Sequence, residues 1–157
     1  MKSLKIWSLL AVLAVAITGC GDDNNKGGDA PAPLPEGVSL VKEWRIATWN
    51  GSEAPFDVYI DFNEDGSYDM YQQIYTLNYQ HFSGSYNLSG DIVTGSYSDG
   101  TNWKSGYKVA LSADGMQLTM HSQEDVSMTA VYNSTVIPED VKAEAAESRA
   151  VDVERFL

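Results

Sequence analysis

The 157-residue chain carries 10 basic against 22 acidic side chains, a net charge of −12. That balance excludes a nucleic-acid-binding surface, which needs a basic footprint, and a polybasic membrane patch. Its single cysteine, Cys20, excludes any intramolecular disulfide.

The first elements belong to export rather than to structure. Lys2 and Lys5 precede an almost wholly apolar run, Ile6 to Ile17. Twelve helical residues span about 18 Å, well short of the roughly 30 Å hydrocarbon core, so the run has the dimensions of a signal peptide and not of a membrane span. It ends Ile17-Thr18-Gly19-Cys20, which resembles the bacterial lipobox. The resemblance implies cleavage before Cys20, with residues 1–19 removed, and attachment of lipid to the Cys20 thiol. Loss of Lys2 and Lys5 would leave 8 basic and 22 acidic residues. Stable anchoring needs more than one acyl chain, at about 0.8 kcal/mol per buried methylene. Several palmitate-like chains on one residue meet that need.

Residues 20–37 are small, polar and proline-rich and read as a flexible tether behind the lipidated cysteine. The sequence Cys20-Gly21-Asp22-Asp23 resembles the acidic export signal of surface lipoproteins in Bacteroides-type bacteria. That likeness implies a lipid-anchored protein of the outer membrane, exposed at the cell surface. A plain solvated spacer is the other reading of the same residues.

From residue 38 to residue 157 the sequence reads as one domain. Its hydrophobic period is two, the mark of half-buried antiparallel strands. Phe56, Val58, Ile60 and Phe62 alternate with polar neighbours, as do Phe82, Tyr86 and Leu88, then Trp103, Tyr107 and Val109, then Met116, Leu118 and Met120. Eight strands are predicted near 40–48, 56–63, 67–75, 80–88, 91–98, 103–111, 115–121 and 126–133. Gly beside Asp or Ser punctuates them at Gly66, Gly90, Gly100 and Gly115. Short turns make sequential neighbours, and eight such strands suit either a closed barrel or a two-sheet sandwich. After Pro138 the pattern becomes helical over 138–149. Its thin stripe, Val141 and Ala145, places it on the outside of the β domain. The end, Val151 to Leu157, reads as a short strand or a plug.

Trp44 in the first strand, then "YIDFNEDGSYDMY" from Tyr59, "FSGSYNLSGDIVT" from Phe82 and "SADGMQLTM" from Ser112, are together similar to the lipocalin-like lipoproteins of Bacteroides-type bacteria. The resemblance spans roughly Leu40 to Tyr132. It implies an all-β fold, an eight-stranded antiparallel up-and-down barrel with a short C-terminal helix. Lys42 stands where lipocalins place a glycine two residues before the tryptophan.

Chemistry-bearing motifs are sparse. Asp61, Asn63, Asp65, Gly66 and Asp69 fall at calcium-loop spacing, but Gln72 stands where the bidentate Glu is needed and a hairpin turn accounts for the rest. His81 and His121 fall on the polar phase with no third ligand at metal spacing. No nucleophile elbow, phosphate loop or Cys-x-x-Cys occurs. No enzyme activity, metal or cofactor is expected. The candidate ligand-binding residues are the inward aromatics Trp44, Phe62, Tyr68, Phe82, Tyr86, Trp103, Tyr107 and Tyr132, with the polar Thr94, Ser96 and Ser105 on the same phase. They line a pocket for a small apolar or amphipathic ligand, or they fill the core. A second set, Tyr59, Tyr71, Tyr75, Tyr79 and Tyr97, falls outward. It either pairs across strands or docks an outer-membrane protein or a glycan.

Overall fold

The computed structural model describes residues 39–147 and 153–157. The expected signal peptide, Cys20 and the tether lie outside the described residues, as do residues 148 and 149 of the expected helix.

Alternating side chains become strands joined by tight turns. They are β1 (Glu43–Trp49), β2 (Ser52–Glu53), β3 (Asp57–Phe62), β4 (Ser67–Gln73), β5 (Gln80–Ser89), β6 (Ile92–Tyr97), β7 (Tyr107–Leu111), β8 (Gln117–Ser122) and β9 (Thr129–Ser134). Every neighbour is antiparallel, in the order β2-β1-β3-β4-β5-β6-β7-β8-β9, and β1 also pairs with β9. That last pairing closes eight strands into an up-and-down barrel and removes both edges of the sheet. The two-residue β2 is an addition that alternation could not show. The chain doubles back on β1 through Asn50 and Gly51, both at positive φ, as a two-residue hairpin requires.

Register follows the apolar phase. Ile60 faces Met70 and Phe62 faces Tyr68 across β3 and β4. Trp44, Ile60, Tyr68, Met70, Leu118 and Tyr132 are fully buried in one interior core. Trp44 donates its indole N–H to the Leu40 carbonyl at 2.8 Å. Lys42, in the position of the missing glycine, sends its ammonium to the Gly115 carbonyl at 2.8 Å and ties β1 to the β7–β8 turn.

The helix α1 (Glu139–Glu147) lies outside the barrel against β4 and β5. Val141 and Ala145 are buried there with Ile137, over Tyr59 and Tyr79 and beside Tyr71. Glu43 fastens this end: its carboxylate accepts from the Ile137 amide at 2.9 Å and from Lys142 at 3.2 Å. Three of the five tyrosines expected to face solvent therefore form the floor under a helix far away in sequence.

The phase of β6 differs from expectation. Val93 and Tyr97 point inward, whereas Thr94 is exposed and Ser96 half-buried. The reason is Gly95, which faces Tyr86 across the β5–β6 pair and leaves no side chain on the inward phase to mark it. Trp103 also departs from its expected strand. It sits in the loop before β7 and lays its indole over Gly95, where a Cβ would collide with the ring. Only Ile92 and Val93 pair with β7; the rest of β6 bonds to the loop before β7, through the Tyr97 amide to the Thr101 carbonyl and the Trp103 amide to the Gly95 carbonyl.

Candidate functional site

The eight candidate ligand-binding aromatics come together, as interior phase demands, but most are packed against one another. Trp44, Phe62, Tyr68, Trp103, Tyr107 and Tyr132 are buried in the core, while Phe82 and Tyr86 are half-buried against it. Tyr68 stands edge-on to Trp103 with centroids 5.2 Å apart, and Phe62 edge-on to Tyr86 at 4.8 Å. The Trp103 indole donates to the Tyr68 hydroxyl at 2.9 Å. Burial pushes the phenols of Tyr68 and Tyr107 up to about 12, and that of Tyr132 well above its ordinary value. Each is therefore a neutral hydrogen-bond donor. Among the described residues the hydroxyls of Tyr107 and Tyr132 have no hydrogen-bond partner, although both residues are buried.

One end of the barrel is occupied by the chain itself. The segment Val153–Leu157 is a plug and not a strand. Leu157 is 1% exposed and Phe156 7%. Phe156 packs with Trp49 and Phe56 in a three-ring cluster, at 5.0 and 5.6 Å between centroids. Gln72, wholly buried on the inward phase of β4, donates to the Glu154 carbonyl at 2.7 Å and accepts from the Phe156 amide at 2.9 Å. The Tyr97 hydroxyl donates to the Leu157 main-chain oxygen at 2.7 Å. Arg155 lies 4.4 Å over the Tyr97 ring and pairs with both carboxylate oxygens of Asp99. That forked pair holds the Asp99 carboxyl well below the usual carboxylate range.

Beside the plug is a cleft of about 440 Å³ lined by Trp49, Phe56, Ile74, Met128 and Phe156, with Lys104 and Arg155 on its rim. A second cleft, of about 470 Å³, opens over β6 and the loop before β7, lined by Trp103 and Tyr86 among Ser85, Thr94, Ser96 and Asn102. The first has the apolar lining with a few polar groups that small-molecule sites favour; the second is more polar. Ser105, expected inward, instead knots the loop: its hydroxyl accepts from Ser122 Oγ at 2.9 Å and from the Gln123 and Glu124 amides.

The remaining motifs are structural. Asp65 accepts from the Ser67 amide at 2.9 Å and from its hydroxyl at 2.6 Å, which closes the β3–β4 turn on itself. His81 stacks on Tyr71 and meets Asp69 at 2.7 Å. His121 meets Thr129 at 2.9 Å. Among the described residues, no group of three or more His, Cys, Asp or Glu side chains is placed to hold a metal.

Sequence reasoning missed Gln72, Tyr97 and the cleft residues Trp49, Ile74 and Met128 as parts of one site. Gln72 carried a usable signal: it follows Tyr68 and Met70 on the inward phase, and a buried amide requires partners.

A closed eight-stranded barrel with an aromatic interior and one occupied end defines a lipocalin-like protein. The lipocalin-like domain model matches residues 40–118, half of the chain, and the chain belongs to that family. No curated protein matches it. Membership and the barrel together suggest small-ligand binding rather than catalysis.

Proposed function

We propose that this is a lipid-anchored envelope protein that holds a small apolar or amphipathic ligand at the plugged end of its barrel. The observation that carries the reading is the apolar cleft walled by Trp49, Phe56, Ile74 and Met128. Lys104 lines the cleft paired with Glu154 at 2.6 Å, so the pair suits a polar head group, with the apolar body against the rings. The interior aromatics Trp44, Phe62, Tyr68, Phe82, Tyr86, Trp103, Tyr107 and Tyr132 would support the ligand from below. Those at the plugged end would touch it when the plug gives way. The role is non-enzymatic and needs no cofactor.

Native mass spectrometry tests this on the Cys20→Ser chain challenged with a mixed pool of fatty acids and sterols. A retained ligand mass is expected, lost in Phe56→Asp, with the fold checked by circular dichroism. A clean protein mass under every challenge would refute the reading.

Anchoring is proposed through acylated Cys20, behind a cleaved signal peptide, in the outer membrane and facing the cell surface. Incorporation of labelled palmitate, abolished by Cys20→Ser, checks the lipid. Protease accessibility on intact cells checks the surface. A second reading, a docking module for an outer-membrane protein or a glycan, is favoured by Tyr75 and Leu77. These two stand 99% and 94% exposed on the loop after β4. Loss of a co-purifying partner in Leu77→Ser, with ligand binding intact, would support it.

A further inference from the structure

We infer that the barrel end around Gln72 and Tyr97 is a peptide-recognition site. Val153–Leu157 is its intramolecular occupant, and the site takes in trans an extended peptide with the same arginine–aromatic–aliphatic order. This goes beyond the small-ligand reading, because the groups that carry it read a peptide main chain.

Gln72 offers one donor and one acceptor to a carbonyl and an amide two residues apart, at Glu154 and Phe156. An adjacent strand reads a peptide in the same pattern, and a lipid tail or sterol supplies no such amide. The Gln72 side chain is wholly buried and lies in a core otherwise lined by apolar and aromatic groups, so its amide depends on these two bonds. Tyr97 adds a third main-chain contact, at Leu157.

Side-chain selectivity is laid over that frame. Arg155 stacks on Tyr97 and reaches the Phe82 ring at 5.4 Å, while Asp99 fixes its charge. Phe156 fills the Trp49–Phe56 cluster, and Leu157 enters the core.

The test uses the full chain with Phe156→Gly and Leu157→Gly, which releases the occupant and leaves the barrel residues untouched. Titration with the synthetic peptide Val-Glu-Arg-Phe-Leu is followed by calorimetry and tryptophan fluorescence. The peptide is expected to bind the released chain at least tenfold more tightly than the unaltered chain. Adding Gln72→Leu is expected to weaken that binding at least tenfold. No binding to a folded released chain, or binding indifferent to Gln72→Leu, overturns the proposal. Fatty-acid binding without peptide binding overturns it too, and leaves the small-ligand reading standing. Should the released chain not fold, amide exchange in the unaltered chain decides. The Phe156 amide is then expected to exchange at least tenfold faster than the Val109 amide, which bonds the Asp91 carbonyl inside the barrel. Equal protection of the two would mean that the segment is core, and the proposal fails.

Discussion

Replacing Tyr132 by Phe should stabilise this protein. Tyr132 is wholly buried, it faces Leu118 on β8 and Ile46 on β1, and its hydroxyl has no partner among the described residues. A buried polar group without a hydrogen bond costs roughly 1–3 kcal/mol in lost hydration. Phe keeps the ring and deletes that cost, losing only the dispersion contacts of one oxygen, each about 0.1–0.2 kcal/mol. The net expectation for Tyr132→Phe is a gain of about 1 kcal/mol, and Tyr107→Phe should behave alike. Tyr68→Phe is the internal control. It removes the acceptor of the Trp103 indole and leaves a buried N–H unpaired, so it should cost roughly 1–3 kcal/mol. Urea denaturation of the three variants, read at constant slope, measures the difference. If Tyr132→Phe and Tyr107→Phe each destabilise by about 1 kcal/mol or more, both hydroxyls are bonded in solution and the reasoning fails. The same variants report on ligand. A head group that reaches these donors makes Tyr→Phe lower affinity while it raises the stability of the empty chain.

Gly95→Ala should destabilise by roughly 2 kcal/mol, because its Cβ would strike the Trp103 indole and drive it off the Tyr68 hydroxyl; quenched tryptophan emission that shifts toward the exposed value checks the movement. The Asp99 carboxyl is held low by Arg155, so the stability this pair gives the plug is fully present above an unfolded pKa near about 4 and is lost as pH falls through the folded value. Amide exchange of Arg155 and Phe156 across that window should show the plug loosening in acid, and Asp99→Asn should remove the dependence. At the other extreme, the phenols of Tyr68 and Tyr107 are raised to about 12 from an ordinary value of 10.0. Their contribution is complete below pH 10.0 and is lost as pH rises through about 12, which ultraviolet titration of tyrosinate against unfolding should reveal as ionisation coupled to barrel opening.

The barrel was legible wherever one face of a strand is apolar and its neighbours are polar. The alternation of Val58, Ile60 and Phe62 against that of Tyr68 and Met70 fixes both the hairpin and its register, since a slip by one residue would turn the whole set outward. The pattern failed at β6, where Ile92 and Val93 are both apolar and Gly95 contributes nothing to either face. It failed again where burial comes from outside the sheet. Tyr59 and Tyr79 do point away from the barrel interior, as their phase requires, but α1, which starts at Glu139, arrives from far down the chain and covers them. A local period cannot register a contact that distant.

The site was less legible than the fold for the same physical reason. Aromatics on an inward phase have the same sequence signature whether they pack or line a pocket, and here the buried rings of Tyr68, Trp103 and Tyr132 pack. What distinguishes the two cases is the partner supplied to each polar atom. Gln72 needs two bonds and finds them on Glu154 and Phe156, and Tyr97 finds Leu157, whereas Tyr107 and Tyr132 find none among the described residues. Gln72 and Tyr97 are therefore both satisfied by the segment at the barrel's end. A core built only for stability gains little from this amide and hydroxyl, because leucine or phenylalanine would bury there at lower cost. Their pairing with Val153–Leu157 is what supports the site proposed at the end that this segment fills.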